Sequence, residues 1–144
     1  MTDHKIEVVK QFSPALLQAV TSLLPQLTSS GRAMTEAELR AMIGCPVTTL
    51  FVAKDRGQIV GIISLVVVQM PAGLRSYVQD LVIDAASRHR GFATALLQIA
   101  IDHARASGAR SLDMTSRSSR AEALRLYERM GFKRRDTNPF RILF

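Results

Sequence analysis

Tryptophan is absent and aromatic side chains make up only 6% of the 144 residues. That leaves no stacking platform for a single-stranded nucleic acid, although the chain is basic. The single cysteine, Cys45, excludes an internal disulfide and a cysteine-rich zinc site, and reads as a small buried filler before Pro46. His4, His89 and His103 share no metal-ligand spacing, so no metal is expected. No apolar run is long enough to cross a bilayer, and Met1 to Lys10 alternates charged with apolar residues instead of forming a secretory block. A cytoplasmic address without membrane contact is the expectation. Neither the G-x-G-x-x-G of a dinucleotide fold nor the G-K-[ST] of a nucleotide triphosphatase occurs.

What is present is ordinary in amount and uneven in placement. A hydrophobic share of 47% with 22% charged residues fits one globular domain over 1–144, large enough to bury a core. The net charge of +7 is concentrated late in the chain. Residues 1–72 hold 6 basic and 5 acidic side chains, whereas residues 73–144 hold 13 and 7. An anionic partner is therefore expected at the second half, whether a nucleic acid or a phosphorylated small molecule.

Periodicity divides the chain into alternating elements. Ile6 to Val9 reads as a strand. Ser13-Pro14 opens a helix carrying Leu16, Leu17, Val20, Leu23 and Leu24, which Pro25 should break. Thr35-x-x-Glu38 is a capping box for a short helix through Ile43. Two strand-like runs, 48–54 and 58–69, flank Asp55-Arg56-Gly57 as a hairpin, and Gly61 marks a bulge or a close backbone approach. A strand over 76–84 ends in Leu81-Val82-Ile83, apolar enough for burial on both faces. Phe92, Leu96, Leu97, Ala100, Ile101 and Ala104 make one stripe of a helix ending at Ser107-Gly108. A short strand at 111–115, a helix at 120–130 stopped by Gly131, and two closing strands at 132–135 and 140–144 complete the order. The class is α/β, with hairpins in the middle and a parallel crossover after them.

The junction before the 92–107 helix carries the chemistry. Arg88-His89-Arg90-Gly91-Phe92-Ala93 places two arginines and a glycine at a helix N-terminus, where unpaired N–H groups and the helix dipole favour an anion. Gly91 lets the backbone approach a phosphate, Arg88 and Arg90 add charge-assisted contacts, and Thr94 adds a hydroxyl. His89 offers its backbone N–H.

This R-x-x-G-x-A pattern, set within Asp80 to Thr94, resembles the acyl-CoA loop of the GNAT superfamily N-acetyltransferases. A second segment, Ala123-Leu124-Arg125-Leu126-Tyr127-Glu128-Arg129-Met130-Gly131-Phe132, is similar to that superfamily's second CoA-side motif in its alanine, its Leu-Tyr pair and its Gly-Phe pair. The resemblance implies a mixed, mostly antiparallel central sheet flanked by about four helices. It also implies a splay between the 76–84 and 111–115 strands, where acyl-CoA enters. It implies acetyl-CoA as co-substrate and a primary amine of a small molecule or peptide as acceptor, joined by direct transfer in a ternary complex. Cofactor contacts then fall to the backbone of Leu81, Val82 and Ile83, to Arg88, His89, Arg90, Gly91, Phe92, Ala93 and Thr94, and to Arg120.

The family frequently has an asparagine where Arg120 stands, so Ser118 and Ser119 are candidates to replace its hydrogen bonds. Tyr127 is the candidate general acid for the leaving thiolate, and Asp80 the candidate base for the amine. By strict alternation Gln79 and Asp80 face opposite sides, so only one lines the cleft. A homodimer is the superfamily's common habit. Two other readings stay open: an acyl-CoA sensor or partner-binding domain of the same fold, and a basic nucleic-acid-binding module. The stretch 24–46, expected to shape acceptor choice, shows Arg32 as the only charge in its loop. Glu36 and Glu38 are explained equally well by helix capping, so the acceptor stays unnamed.

Overall fold

A computed structural model describes residues 4–29, 32–116 and 120–144; Ser118 and Ser119 lie outside the described residues. The elements are β1 (Lys5–Val8), α1 (Pro14–Leu27), α2 (Glu36–Gly44), β2 (Thr48–Asp55), β3 (Gln58–Met70), β4 (Gly73–Ile83), a 3-10 turn (Ala85–Ser87), α3 (Phe92–Ala106), β5 (Leu112–Asp113) and α4 (Ala121–Arg129). The strands form one open sheet in chain order, antiparallel from β1 to β4 and parallel between β4 and β5.

Alternation along β2 explains the two cores. Leu50 and Val52 face α1 and α2, with Leu16, Val20, Leu23 and Leu39. Phe51 and Ala53 face α3 and α4, with Leu96, Leu97, Ala100 and Tyr127. The helix ends follow the sequence signals. Ser13 Oγ accepts from Leu16 N–H, and Thr35 Oγ1 from Glu38 N–H, both at 3.1 Å. Gly91, Gly108 and Gly131 take the left-handed φ values that close or open their helices. Cys45 is half-buried and caps α2, with the Thr48 hydroxyl and the Val47 N–H holding its thiol below the usual range.

Two bulges bracket the central strand. Ala53 pairs with Gly61 but Lys54 with Ile59, leaving Val60 extra beside the expected glycine. A Cβ on Gly61 would lie 2.5 Å from Ile83 Cδ1 and 3.3 Å from Val82 O, so the glycine permits a close β3–β4 approach. Gly61→Ala is expected to destabilise the fold by about 1–3 kcal/mol through overpacking, read as a lower urea midpoint with unchanged slope.

The second bulge was not foreseen. Ile62 pairs with Val82 and Ser64 with Gln79, so Asp80 and Leu81 together oppose Ile63, and Asp80 adopts φ 57°. The extra residue shifts the parity of β4: Val78, Leu81 and Ile83 all pack toward the α3 core. Strict alternation therefore fails at Gln79 and Asp80, and both are exposed.

Other expectations need correction. Pro25 does not end α1, which runs to Leu27 because Thr28 N–H still reaches Leu24 O at 3.0 Å. The closing strands at 132–135 and 140–144 do not form. β5 is only two residues long, and the link from this segment to it is an ion pair, Arg135 to Asp113 at 3.6 Å. Without a backbone ladder an extended segment has no strand partner, and Pro139 has no N–H to give. No helix among the described residues is long and apolar enough to cross a membrane.

Candidate functional site

Pairing between β4 and β5 spans Ser76–Leu112 and Tyr77–Asp113, then stops. The Asp80 bulge follows at once, and among the described residues no strand pairs with the backbone of Leu81–Ile83 on its β5 side. A cavity of about 680 Å³ occupies the gap. Its walls are Leu81, Val82 and Ile83 of β4, the loop residues 87–89 with the helix start 91–94, Arg120 to Ala123 with Leu126, Tyr127 and Arg129 of α4, and Gln26 and Leu27 of α1.

The loop end gathers groups that can hold an anion. Gly91 caps α3 at φ 88° with no side-chain cap, leaving the N–H groups of the first turn open. Arg88 lies on the wall, its Nε donating to Ile83 O at 3.2 Å. Arg120 and Arg129 face it from α4, against one lining carboxylate, Glu122. Glu122 spans the mouth to His89 Nδ1 at 3.2 Å. Both partners are about three-quarters exposed (74% and 73%), so the pair is weak and easily opened.

Tyr127 also lines the cavity and is 7% exposed. Burial pushes its pKa above the ordinary value near 10, with smaller opposing pulls from the Arg120 charge and the Ser116 hydroxyl. Ser116 Oγ lies beside the phenol, shielded from solvent, yet meets hydrogen-bond geometry with no described group. The phenol therefore stays protonated across the neutral range.

Of the residues singled out in the sequence, Leu81, Val82, Ile83, Arg88, His89, Gly91, Phe92, Ala93, Thr94, Arg120 and Tyr127 converge on the cavity. Two do not. Arg90 turns to Asp55 of the β2–β3 turn at 2.8 Å, with its guanidinium over the Phe92 ring at 5.3 Å. It anchors the loop from behind, assisted by His4, which contacts Arg90 O and meets Phe92 edge-on at 4.8 Å. Asp80 is exposed on its bulge, outside the lining.

Sequence reasoning missed Gln26, Ser87, Glu122 and Arg129. Gln26 Nε2 donates to Asp84 Oδ1 at 2.9 Å and its Oε1 accepts from Ala85 N–H at 2.8 Å, clasping the last turn of α1 to the start of the loop. Its only local signal was Pro25, which argued the helix had already ended. Among the described residues no cluster of metal-ligating side chains occurs.

A family model described as "Acetyltransferase (GNAT) family" matches residues 17–132. N-acetyltransferase family 8 member 2 of Rattus norvegicus is 32% identical over 88 residues, 60% of this chain and 39% of that protein. The match thus spans about two fifths of that relative's length. A putative acetyltransferase from Agrobacterium tumefaciens str. C58 superposes with a TM-score of 0.85 at 23% identity, over 97% of this chain and 99% of that one. An aminoglycoside acetyltransferase, meta-AAC0020 from an uncultured soil metagenomic sample, gives a TM-score of 0.85 at 16% identity, over 98% and 97%. At these identities the two structures speak for the fold alone.

Proposed function

Since the chain belongs to the GNAT acetyltransferase family, we propose that it moves an acetyl group from acetyl-CoA to a primary amine of a small molecule or peptide, by direct transfer in a ternary complex. The observation that carries this reading is the joining of two features in one cavity. A glycine-opened helix N-terminus lies among Arg88, Arg120 and Arg129, and a buried, protonated Tyr127 faces it. The donor supplies an activated thioester; the residues do the rest.

The α3 N-terminus and the arginines hold the pyrophosphate. The open backbone edge of Leu81–Ile83 pairs with the pantetheine arm in the manner of an added strand, and one of its N–H groups polarises the thioester carbonyl. As the amine attacks carbon and the C–S bond breaks, Tyr127 O–H delivers its proton to the departing sulfur. Arg120 and the Ser116 hydroxyl steady the phenolate until it regains a proton from solvent. Asp80, exposed on the bulge, takes the amine proton through water. Both substrates are held together, so the gain is chiefly one of orientation.

Calorimetric titration with acetyl-CoA, followed by an amine panel scored for CoA release, tests the proposal. Micromolar binding and turnover of at least one amine are expected. Absence of heat together with absence of competition by free CoA would sink it, and binding without any turnover would leave an acyl-CoA sensor. Glu122→Gln removes the one carboxylate from a polyanion's wall, so acetyl-CoA affinity is expected to rise about two- to fivefold, a change of order 0.5–1 kcal/mol. A weaker complex would instead make Glu122 the residue that orients His89 for the cofactor.

A further inference from the structure

A proline has no N–H, so at Pro25 the last turn of α1 lacks its helical bond to Thr21 O, yet the helix runs on to Leu27. Beside the Thr28 N–H bond to Leu24 O, that turn is secured from a distant part of the chain. Gln26 Nε2 donates to Asp84 Oδ1 at 2.9 Å and to Ser22 O at 3.3 Å, while its Oε1 accepts from Ala85 N–H at 2.8 Å. Only a carboxamide meets all three partners, since a carboxylate has nothing to donate and an alkyl group neither donates nor accepts.

We infer that Gln26 is a positioning residue for acetyl transfer, holding the last turn of α1 against the start of the cofactor loop so that the Leu27 wall of the cavity keeps its place beside Leu81–Ile83. The inference rests on the reaction proposed above.

The two sides of this clasp are unequally held. The loop has its own anchors: Asp84 N–H donates to Val60 O at 2.7 Å, Ser87 N–H to Asp84 O at 2.8 Å, Arg88 Nε to Ile83 O at 3.2 Å, and Arg90 to Asp55 at 2.8 Å. Val60 is the extra residue of the first bulge, so Asp84 is tied directly to the central strand. The end of α1 has less to hold it. Leu23 is buried, but Leu24 and Leu27 are only half-buried, and the helix stops at Thr28. Loss of the clasp therefore frees the α1 end and leaves the anion loop in place.

Gln26 and Leu27 share the cavity with the open backbone edge of Leu81–Ile83. Their displacement changes where an amine stands relative to the thioester. A misplacement of about 1 Å can cost about 100-fold in rate, while the contacts to the phosphates are untouched.

Gln26→Leu and Gln26→Glu break the clasp, and Gln26→Glu combined with Asp84→Asn rebuilds it with donor and acceptor exchanged. In the two single variants, kcat/KM for the most reactive amine is expected to fall about 10–30-fold. Acetyl-CoA Kd, read by calorimetry, should stay within about threefold, because the anion contacts remain. The combined variant should return to within about threefold of the parent in kcat/KM, as coupled partners do. Hydrogen exchange read by mass spectrometry needs no turnover: backbone amides of 26–28 should exchange about tenfold faster in the single variants and near the parent rate in the combined one. Failure of the reaction itself shows in the parent chain, as no binding of acetyl-CoA. Failure of the clasp shows in the variants. Unchanged exchange at 26–28, an amine kcat/KM within about twofold of the parent, acetyl-CoA affinity falling in step with the rate, or no recovery in the combined variant would each overturn the inference.

Discussion

Tyr127→Phe is expected to lower kcat by about 10²–10³-fold, within the range contributed by a positioned general acid, while acetyl-CoA affinity stays within about twofold. The ring remains to fill its place in the α3-side core beside Phe132, whose centroid lies 6.2 Å away. What disappears is one hydroxyl and its proton. Stability should change by less than about 1 kcal/mol, because the phenol's neighbour Ser116 Oγ meets hydrogen-bond geometry with no described group.

The pH profile separates an acid from a spacer. Burial raises the phenol's pKa, so the protonated, active form persists to higher pH than in water. The parent enzyme should therefore gain activity as the acceptor amine loses its proton, and decline only above about pH 10. The phenylalanine variant should lose that alkaline decline along with its rate. A variant retaining full kcat would remove Tyr127 from the chemistry.

The second large effect is expected at the loop before α3. Gly91→Val should weaken acetyl-CoA binding by about 100-fold or more, the equivalent of one to two charge-assisted hydrogen bonds at about 1.5–3 kcal/mol each. Gly91 sits at φ 88°, a region that a β-branched residue enters only with strain. A Cβ there would also stand 2.8 Å from His4 Cε1, and that ring is held by Arg90 O and the Phe92 edge. The exposed His4 ring can swing aside, but relief of the strained φ requires the loop to shift, which turns the first-turn N–H groups of α3 away from their common target. Titration calorimetry checks the affinity. The circular-dichroism melt should move by only a few degrees, because the α3 stripe itself is untouched. Affinity within threefold of the parent would show that the anion is held by the arginines alone.

The pattern of what could be read in the sequence follows range of interaction. Helix caps at Ser13, Thr35 and Gly108, the hairpin turn at Asp55-Arg56-Gly57 and the glycine-opened start of α3 are local signals, and the structure keeps them. Gly91 and Tyr127 were legible because short motifs fix their surroundings, and they meet on one cavity. Arg90 was misplaced because its choice between phosphate and Asp55 is settled by a residue 35 positions away. Gln26 was missed for the same reason, its partners being 58 and 59 positions distant. The Asp80 bulge left no local trace, because a bulge is a property of two strands' pairing. The unformed closing strands show the converse: a β-prone run is no strand without an edge to meet it.

Cys45 has a practical bearing on measurement. As the chain's sole thiol, half-buried at the end of α2 and held partly toward thiolate by Thr48 and Val47, it should react with a chromogenic disulfide reagent once per chain. An assay that counts free CoA by its sulfhydryl will then start from a fixed offset of one equivalent of protein. That offset doubles as an internal concentration standard, and any absorbance beyond it reports turnover.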